Sequence, residues 1–488
     1  MTMTTKIDKY RPRYHFTPEK SWMNDPNGMV YFNGEYHLFY QYYPNDIVWG
    51  PMHWGHAVSK DLVTWEHLPI ALYPDEHGYI FSGSVVIDWA NRSGFFPNGP
   101  GMVAIFTQAD TNPVTGTPRQ RQSIAYSLDQ GRSWQKYADN PVLDHEKNID
   151  FRDPKVMWHE DTQRWVMSLV GDHCVLFYAS MNLKDWTYLS EFGRTHGLHD
   201  GVWECPDLIK LPVFNQPGVY KWVLLVSIGD KLDLPEGSRT QYFIGDFDGK
   251  RFRNDNPNNV ALILDQGRDN YAGVTWSNSQ SADGSLRYIG WMSNWKYAMS
   301  VPADTFRSSM TLPREIGLMD TKQGLRIVQS PIIENHPNRK QVKVWEHVAL
   351  TVESENLFNG LTFEQFELNF SCEFQEDACF EFAVRKSERE ETIIGYDHRS
   401  KSLYVDRSCS GEVQFHPAFG CRHEVLLPDL SNELKLNIFV DTCSVEIFIQ
   451  NGEEVITDLI FPEATSNGIS LNVIQGKINI IELQLFEY

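Results

Sequence analysis

Three kinds of segment recur in a fixed order along the chain from Asn24, and each occurs five times. The first kind opens on polar residues and runs into an apolar strand: NDPNGMVYFNG from Asn24, FSGSVVID from Phe81, FRDPKVMWHED from Phe151, WECPDLIKLP from Trp203 and YAGVTWSNSQ from Tyr271. The second is an apolar, β-branched or aromatic run that often ends on an acid, as in HLFYQYYPND, MVAIFTQAD, RWVMSLVGD, KWVLLVSIGD and RYIGWMSNW. The third is shorter: HWGHAVS, QSIAYS, VLFYAS, TQYFIGDF and SSMTLPRE. Tails such as SKDLVTWEHLP and SMNLKDWTYLSEF add a turn and a Trp-containing strand. Four strands per unit at a spacing of about 50 to 70 residues predict a five-bladed β-propeller.

Helical periodicity is nearly absent, and the punctuation is that of turns. Asn33-Gly34, between MVYF and EYHLFYQ, is a two-residue hairpin signal. The pattern changes in the polar, proline-bearing stretch 330–347, beyond which short alternating strands (FELNFSCEF, CFEFAVRK, LKLNIFVD, SVEIFIQNG, INIIELQLFEY) predict an antiparallel β-sandwich. The expected division is an all-β chain with a propeller over residues 1–332, a linker over 333–345 and a sandwich over 346–488.

Composition narrows the partners. At 488 residues and 41% hydrophobic, the chain is long enough for two sizeable cores. A formal charge of −21 without a basic stripe repels phosphate backbones and argues against nucleic acid. No stretch reads as a membrane span. MTMTTKIDKYRPRYHF has no apolar signal-peptide core, so the expectation is a cytoplasmic protein if the chain is full length and a secreted one if a signal peptide was removed. Seven cysteines without CxxC spacing point to free thiols rather than a disulfide framework or zinc ribbon. His53 and His56 fall on opposite faces of a strand, so no metal site and no cofactor are expected. Fifteen Trp and 21 Tyr supply a core, and flat surfaces for sugar rings.

Candidate chemistry follows from the predicted fold. First strands of propeller blades line the central axis, so their starts converge on one mouth. Those starts carry Asn24 and Asp25, Phe81 and Ser82, Arg152 and Asp153, Glu204, and Tyr271. An isolated acid in a turn is usually a cap or a solvated charge; three acids at equivalent positions repel one another unless a site uses them. WMNDPNG predicts a fixed turn whose amides keep Asp25 ionised. Arg152 favours the ionised form of Asp153, whereas Trp203, Cys205 and Pro206 make an apolar setting that favours protonated Glu204. Cys205 itself reads as a packing residue. Carboxyl groups driven to opposite protonation states suit acid–base work on a glycosidic bond.

WMNDPNG, FSGS, FRDPK and WECPDL, in this order and spacing, resemble glycoside hydrolase family 32, the invertases, inulinases and levanases. The resemblance extends into the C-terminal part through YVDRSCSG and VDTCSVEIFI. It implies a retaining β-fructofuranosidase acting on sucrose or fructans without a cofactor. Asp25 is then the nucleophile, Glu204 the general acid/base, and Asp153 a transition-state stabiliser that binds fructosyl hydroxyls together with Arg152. Trp22, Met23, Asn24, Gln41, Trp49, Phe81 and Ser82 match positions of the fructose subsite, and Trp295 is preferred over Trp291 as substrate neighbour. Carboxyls about 5 to 5.5 Å apart imply a covalent intermediate and retention. The alternatives are a fructosyltransferase on the same scaffold, a related glycosidase for arabinosyl or xylosyl linkages, and a non-catalytic carbohydrate-binding propeller.

Overall fold

The computed structural model describes residues 8–145, 150–231, 233–375 and 377–488. Apart from a 3-10 turn at Glu160–Thr162, every regular element among them is a β-strand. Five sheets, antiparallel except for one short strand of the first, occupy the chain up to Pro331, and their first strands are Ser21–Phe32, Tyr79–Asp88, Phe151–His159, Trp203–Pro212 and Tyr271–Thr275. Asn33 and Gly34 take φ of 49° and 87° and close the hairpin from Ser21–Phe32 to Glu35–Tyr43, as a mirror-image two-residue turn requires.

The first strands touch in sequence. Each lies against the next, and Tyr271–Thr275 returns to Ser21–Phe32, so the contacts close a ring. Two features seal the join between the last sheet and the first. Phe306–Arg307 pairs in parallel with the first strand, Ser21 opposite Phe306 and Trp22 opposite Arg307, and Val30 bridges Ser277. The ring-forming strands are buried on both faces in large part, which leaves little water for their polar groups and obliges those groups to bond one another.

Beyond Pro331, a six-stranded and a five-stranded sheet share one core, to which Phe366, Leu368, Phe380, Phe382, Ile394 and Ile447 contribute. Aligned sheets with apolar inner faces make a β-sandwich. The strand Lys340–Thr351 begins inside the stretch read as linker and pairs with Lys477–Glu487. It is an edge strand, and its exposed Lys340, Lys343 and Glu346 give it the polarity of a loop.

Candidate active site

All five first strands slip register near their N-terminal ends. The breaks fall between Met23 and Pro26, between Ile80 and Gly83, between Arg152 and Lys155, between Glu204 and Asp207, and between Tyr271 and Val274. Bulges bend a strand and re-aim its side chains, and here they occur in the same windows that carry the candidate residues. The turn expected at WMNDPNG is therefore a bulged strand, where Pro26 needs no ladder donor. Gly28 serves the same bend: it has φ 57°, and a Cβ on it would lie 2.6 Å from the Phe39 ring.

Asp25 is held by side chains rather than by turn amides. Asn24 Nδ2 donates to Oδ1 at 3.0 Å and Ser82 Oγ to Oδ2 at 3.1 Å. Asn24 is fixed in turn by Trp22, whose Nε1 donates to its Oδ1 at 2.8 Å. The expectation that Asp25 stays ionised needs correction. Burial, and then the charge of Glu204, push its carboxyl up to about 7 against the bonds from Asn24 and Ser82.

Asp153 has φ 64°, a left-handed conformation that costs energy for a non-glycine residue and clusters at functional sites. Its N–H donates to Thr107 Oγ1 at 3.0 Å, and Thr107 continues to Gln122 Oε1 at 2.8 Å. Its Oδ2 accepts from the Cys205 N–H at 3.0 Å. Arg152 Nε stands 3.8 Å away and favours the charged form, as expected, yet burial outweighs it and holds the carboxyl up at about 6.

Glu204 meets polar groups where an apolar setting was expected. Arg152 NH2 donates to Oε1 at 3.1 Å, and the Tyr271 hydroxyl donates to Oε2. Arg152 also binds Asp150 at 2.5 Å, so one guanidinium joins three acids. Cys205 packs in the core and also reaches Asp25 and Asp153, its Sγ lying 3.7 Å from an oxygen of each. Asp25, Asp153 and Glu204 thus meet in one place, coming from the first, third and fourth first strands.

The remaining predicted residues divide into rim and support. Trp49 is 38% exposed and sets its ring edge-on to Phe81 at 6.2 Å, next to Ser82. Trp22 and Met23 are 0% exposed, so they act on a ligand only through their neighbours. Gln41 Nε2 donates to Asn27 Oδ1 at 2.7 Å, which braces the bulged strand. Trp295 is half-buried and stacks on Trp22 at 6.1 Å, while Trp291 lies beneath it at 0% exposure. Sequence reasoning placed Tyr271 at a strand start and assigned it no role; its equivalence to the acid-bearing positions was the available signal. Among the described residues, no three His, Cys, Asp or Glu side chains are grouped to hold a metal ion.

Asp25 and Asp153, buried close to one another and to Glu204, do not both ionise freely, so protonated and ionised carboxyls coexist in the cluster near neutrality. Such a set can give a proton to a leaving group and present a carboxylate to a carbon centre. Residues 15–331 match the Glycosyl hydrolases family 32 N-terminal domain, and residues 334–487 match Glycosyl hydrolases family 32 C terminal. A levanase of Bacillus subtilis (strain 168) is 50% identical over 482 residues, 98% of this chain and 70% of the levanase. The crystal structure of exo-inulinase from Aspergillus awamori superimposes with a TM-score of 0.85 at 36% identity, over 98% of each chain. The β-fructofuranosidase from Schwanniomyces occidentalis, complexed with fructosyl-erythritol, gives a TM-score of 0.87 at 31% identity, over 98% of this chain and 97% of that one. Matched in both its parts and half identical to a relative along nearly its whole length, this chain belongs to glycosyl hydrolase family 32.

Proposed function

We propose that this protein is a retaining β-fructofuranosidase that releases terminal β-D-fructofuranosyl units from sucrose and from fructans of the inulin and levan types. The five sheets are then five propeller blades around the ring of first strands, within residues 1–332, and residues 346–488 form the accessory sandwich. The observation that carries the reading is the meeting of Asp25, Asp153 and Glu204 at the bulged starts of three first strands, with Arg152 binding the latter two. The names of the similar levanase, exo-inulinase and β-fructofuranosidase supply the sugar.

In this reading Glu204 acts in its protonated form and Asp25 as the carboxylate. Asp25 attacks the anomeric carbon while Glu204 protonates the departing oxygen. Glu204 then takes a proton from water, which displaces fructose from Asp25. Asp153 and Arg152 bind the ring hydroxyls, and Trp295 and the Trp49–Phe81 rim flank the sugar. Assays of sucrose, raffinose, inulin and levan side by side, with the first anomer followed by polarimetry or NMR, test the reading. Release of fructose with retained configuration is expected; the inverted anomer as first product overturns it.

A further inference from the structure

Arg407, on the sandwich, is fully buried and grips two residues of the N-terminal part at once. Its NH1 donates to Asp269 Oδ2 at 2.6 Å and its NH2 to the Tyr297 hydroxyl at 2.8 Å. Tyr297 closes the triangle by donating to Asp269 Oδ1 at 2.7 Å. Asp269 stands two residues before Tyr271, whose hydroxyl is bonded to Glu204.

The chain leading into Tyr271 lies along the sandwich strand Glu454–Leu459. Gln266 and Asp269 donate their N–H groups to the carbonyls of Val455 and Thr457 at 2.7 and 2.9 Å. In return, Thr457 and Leu459 donate theirs to Asp265 Oδ1 and Asp269 Oδ2 at 2.9 and 2.8 Å. At Gly267 a Cβ would lie 2.2 Å from the Thr457 carbonyl oxygen, so this contact admits no side chain. The track therefore runs from the sandwich, through 265–269, to the hydroxyl on Glu204.

A buried ion pair adds little stability over well-packed apolar groups, because desolvating the charges offsets their attraction. What a guanidinium does add is direction, since its donors are fixed in one plane. We propose that Arg407 is a positioning residue for catalysis, which sets the Tyr271 hydroxyl against Glu204 through Asp269 and Tyr297. The inference rests on the reading of Glu204 as proton donor.

The test compares kcat/KM for sucrose, whose leaving oxygen needs a proton, with that for β-fructosyl fluoride, whose leaving group does not. Tyr297→Phe removes one hydroxyl from the triangle, and Arg407→Lys keeps the charge but loses the planar fork. The sucrose-to-fluoride ratio is expected to fall by roughly tenfold or more in both, as a slightly misplaced proton donor requires. Glu204→Ala and Tyr271→Phe should lower it as well. Tyr297→Phe decides alone where Arg407→Lys does not fold. An unchanged ratio in Tyr297→Phe, with a lowered one in Glu204→Ala, overturns the inference and leaves the proposed function standing. An unchanged ratio in Glu204→Ala overturns both.

Discussion

Arg152 donates to Glu204 across 3.1 Å, from a strand that also carries Asp153, so one cation orients the acids of two neighbouring sheets. A lysine supplies a point charge without the fork that serves both. Arg152→Lys should fold normally and lose roughly 100-fold in kcat/KM on sucrose, the scale of a small misplacement of reacting groups. Steady-state kinetics with a thermal melt checks this, and near-wild-type activity contradicts it.

The raised carboxyls predict the pH dependence of the reaction. Asp25 is pushed up to about 7 and Asp153 to about 6, and the two values belong to a cluster that shares protons. As pH rises through about 7, Asp25 loses its proton and becomes the charged nucleophile. As pH falls through that value the nucleophile is neutralised, and Asp153 follows through about 6. A plot of kcat/KM against pH should therefore show an acid limb that rises between about pH 6 and 7; activity undiminished at pH 5 contradicts it.

The same shift predicts a stability effect. Asp25 has a folded-state value raised from 3.8 to about 7. Protonation therefore favours the folded state: the benefit is fully present below about 4 and is lost as pH rises through 7. Asp25→Asn has no charge to bury and should be more stable than wild type at pH 8, by an amount on the order of a few kcal/mol. The gain should vanish near pH 4. Melting temperatures of the two proteins at both pH values provide the check, and equal values at pH 8 refute it.

Much of this site was legible because the chemistry sits at strand starts, and the repeat pattern identifies those starts. Asp25, Asp153 and Glu204 each follow an aromatic residue by one to three positions in its own repeat, so their equivalence needs no tertiary information. The environment of each acid was not legible. Burial of Asp25, and the delivery of Arg152 and Tyr271 to Glu204, depend on how neighbouring sheets pack. Bulges likewise left no mark that distinguishes WMNDPNG from a turn, since proline, asparagine and glycine suit both. Arg407 and Asp269 are farther still from inspection, being 138 positions apart in sequence. The edge strand Lys340–Thr351 was hidden for the opposite reason, because its side chains are chosen for water.

Trp295 and Trp291 differ in kind and should differ in phenotype. Trp291→Ala empties a fully buried site and should cost about 3 to 5 kcal/mol of stability. Trp295→Ala removes a half-buried ring at the mouth and should raise KM for sucrose by roughly tenfold with a smaller loss of stability, as expected for a lost sugar-stacking surface. Denaturant melts and KM values for the two variants separate the roles. A larger KM effect at Trp291 with little destabilisation reverses them.

The division of labour between Asp25 and Glu204 is tested most directly by trapping the intermediate. In Glu204→Ala, β-fructosyl fluoride can still form the covalent bond, because fluoride leaves without a proton, but water lacks its base in the second step. Rapid quenching, proteolysis and mass spectrometry should then find fructose attached to the peptide that contains Asp25, and azide should remove it. No adduct should form when Asp25 is also replaced by Ala. A fructosyl group on any other peptide, or turnover of the fluoride without an adduct and with inverted configuration, contradicts the account.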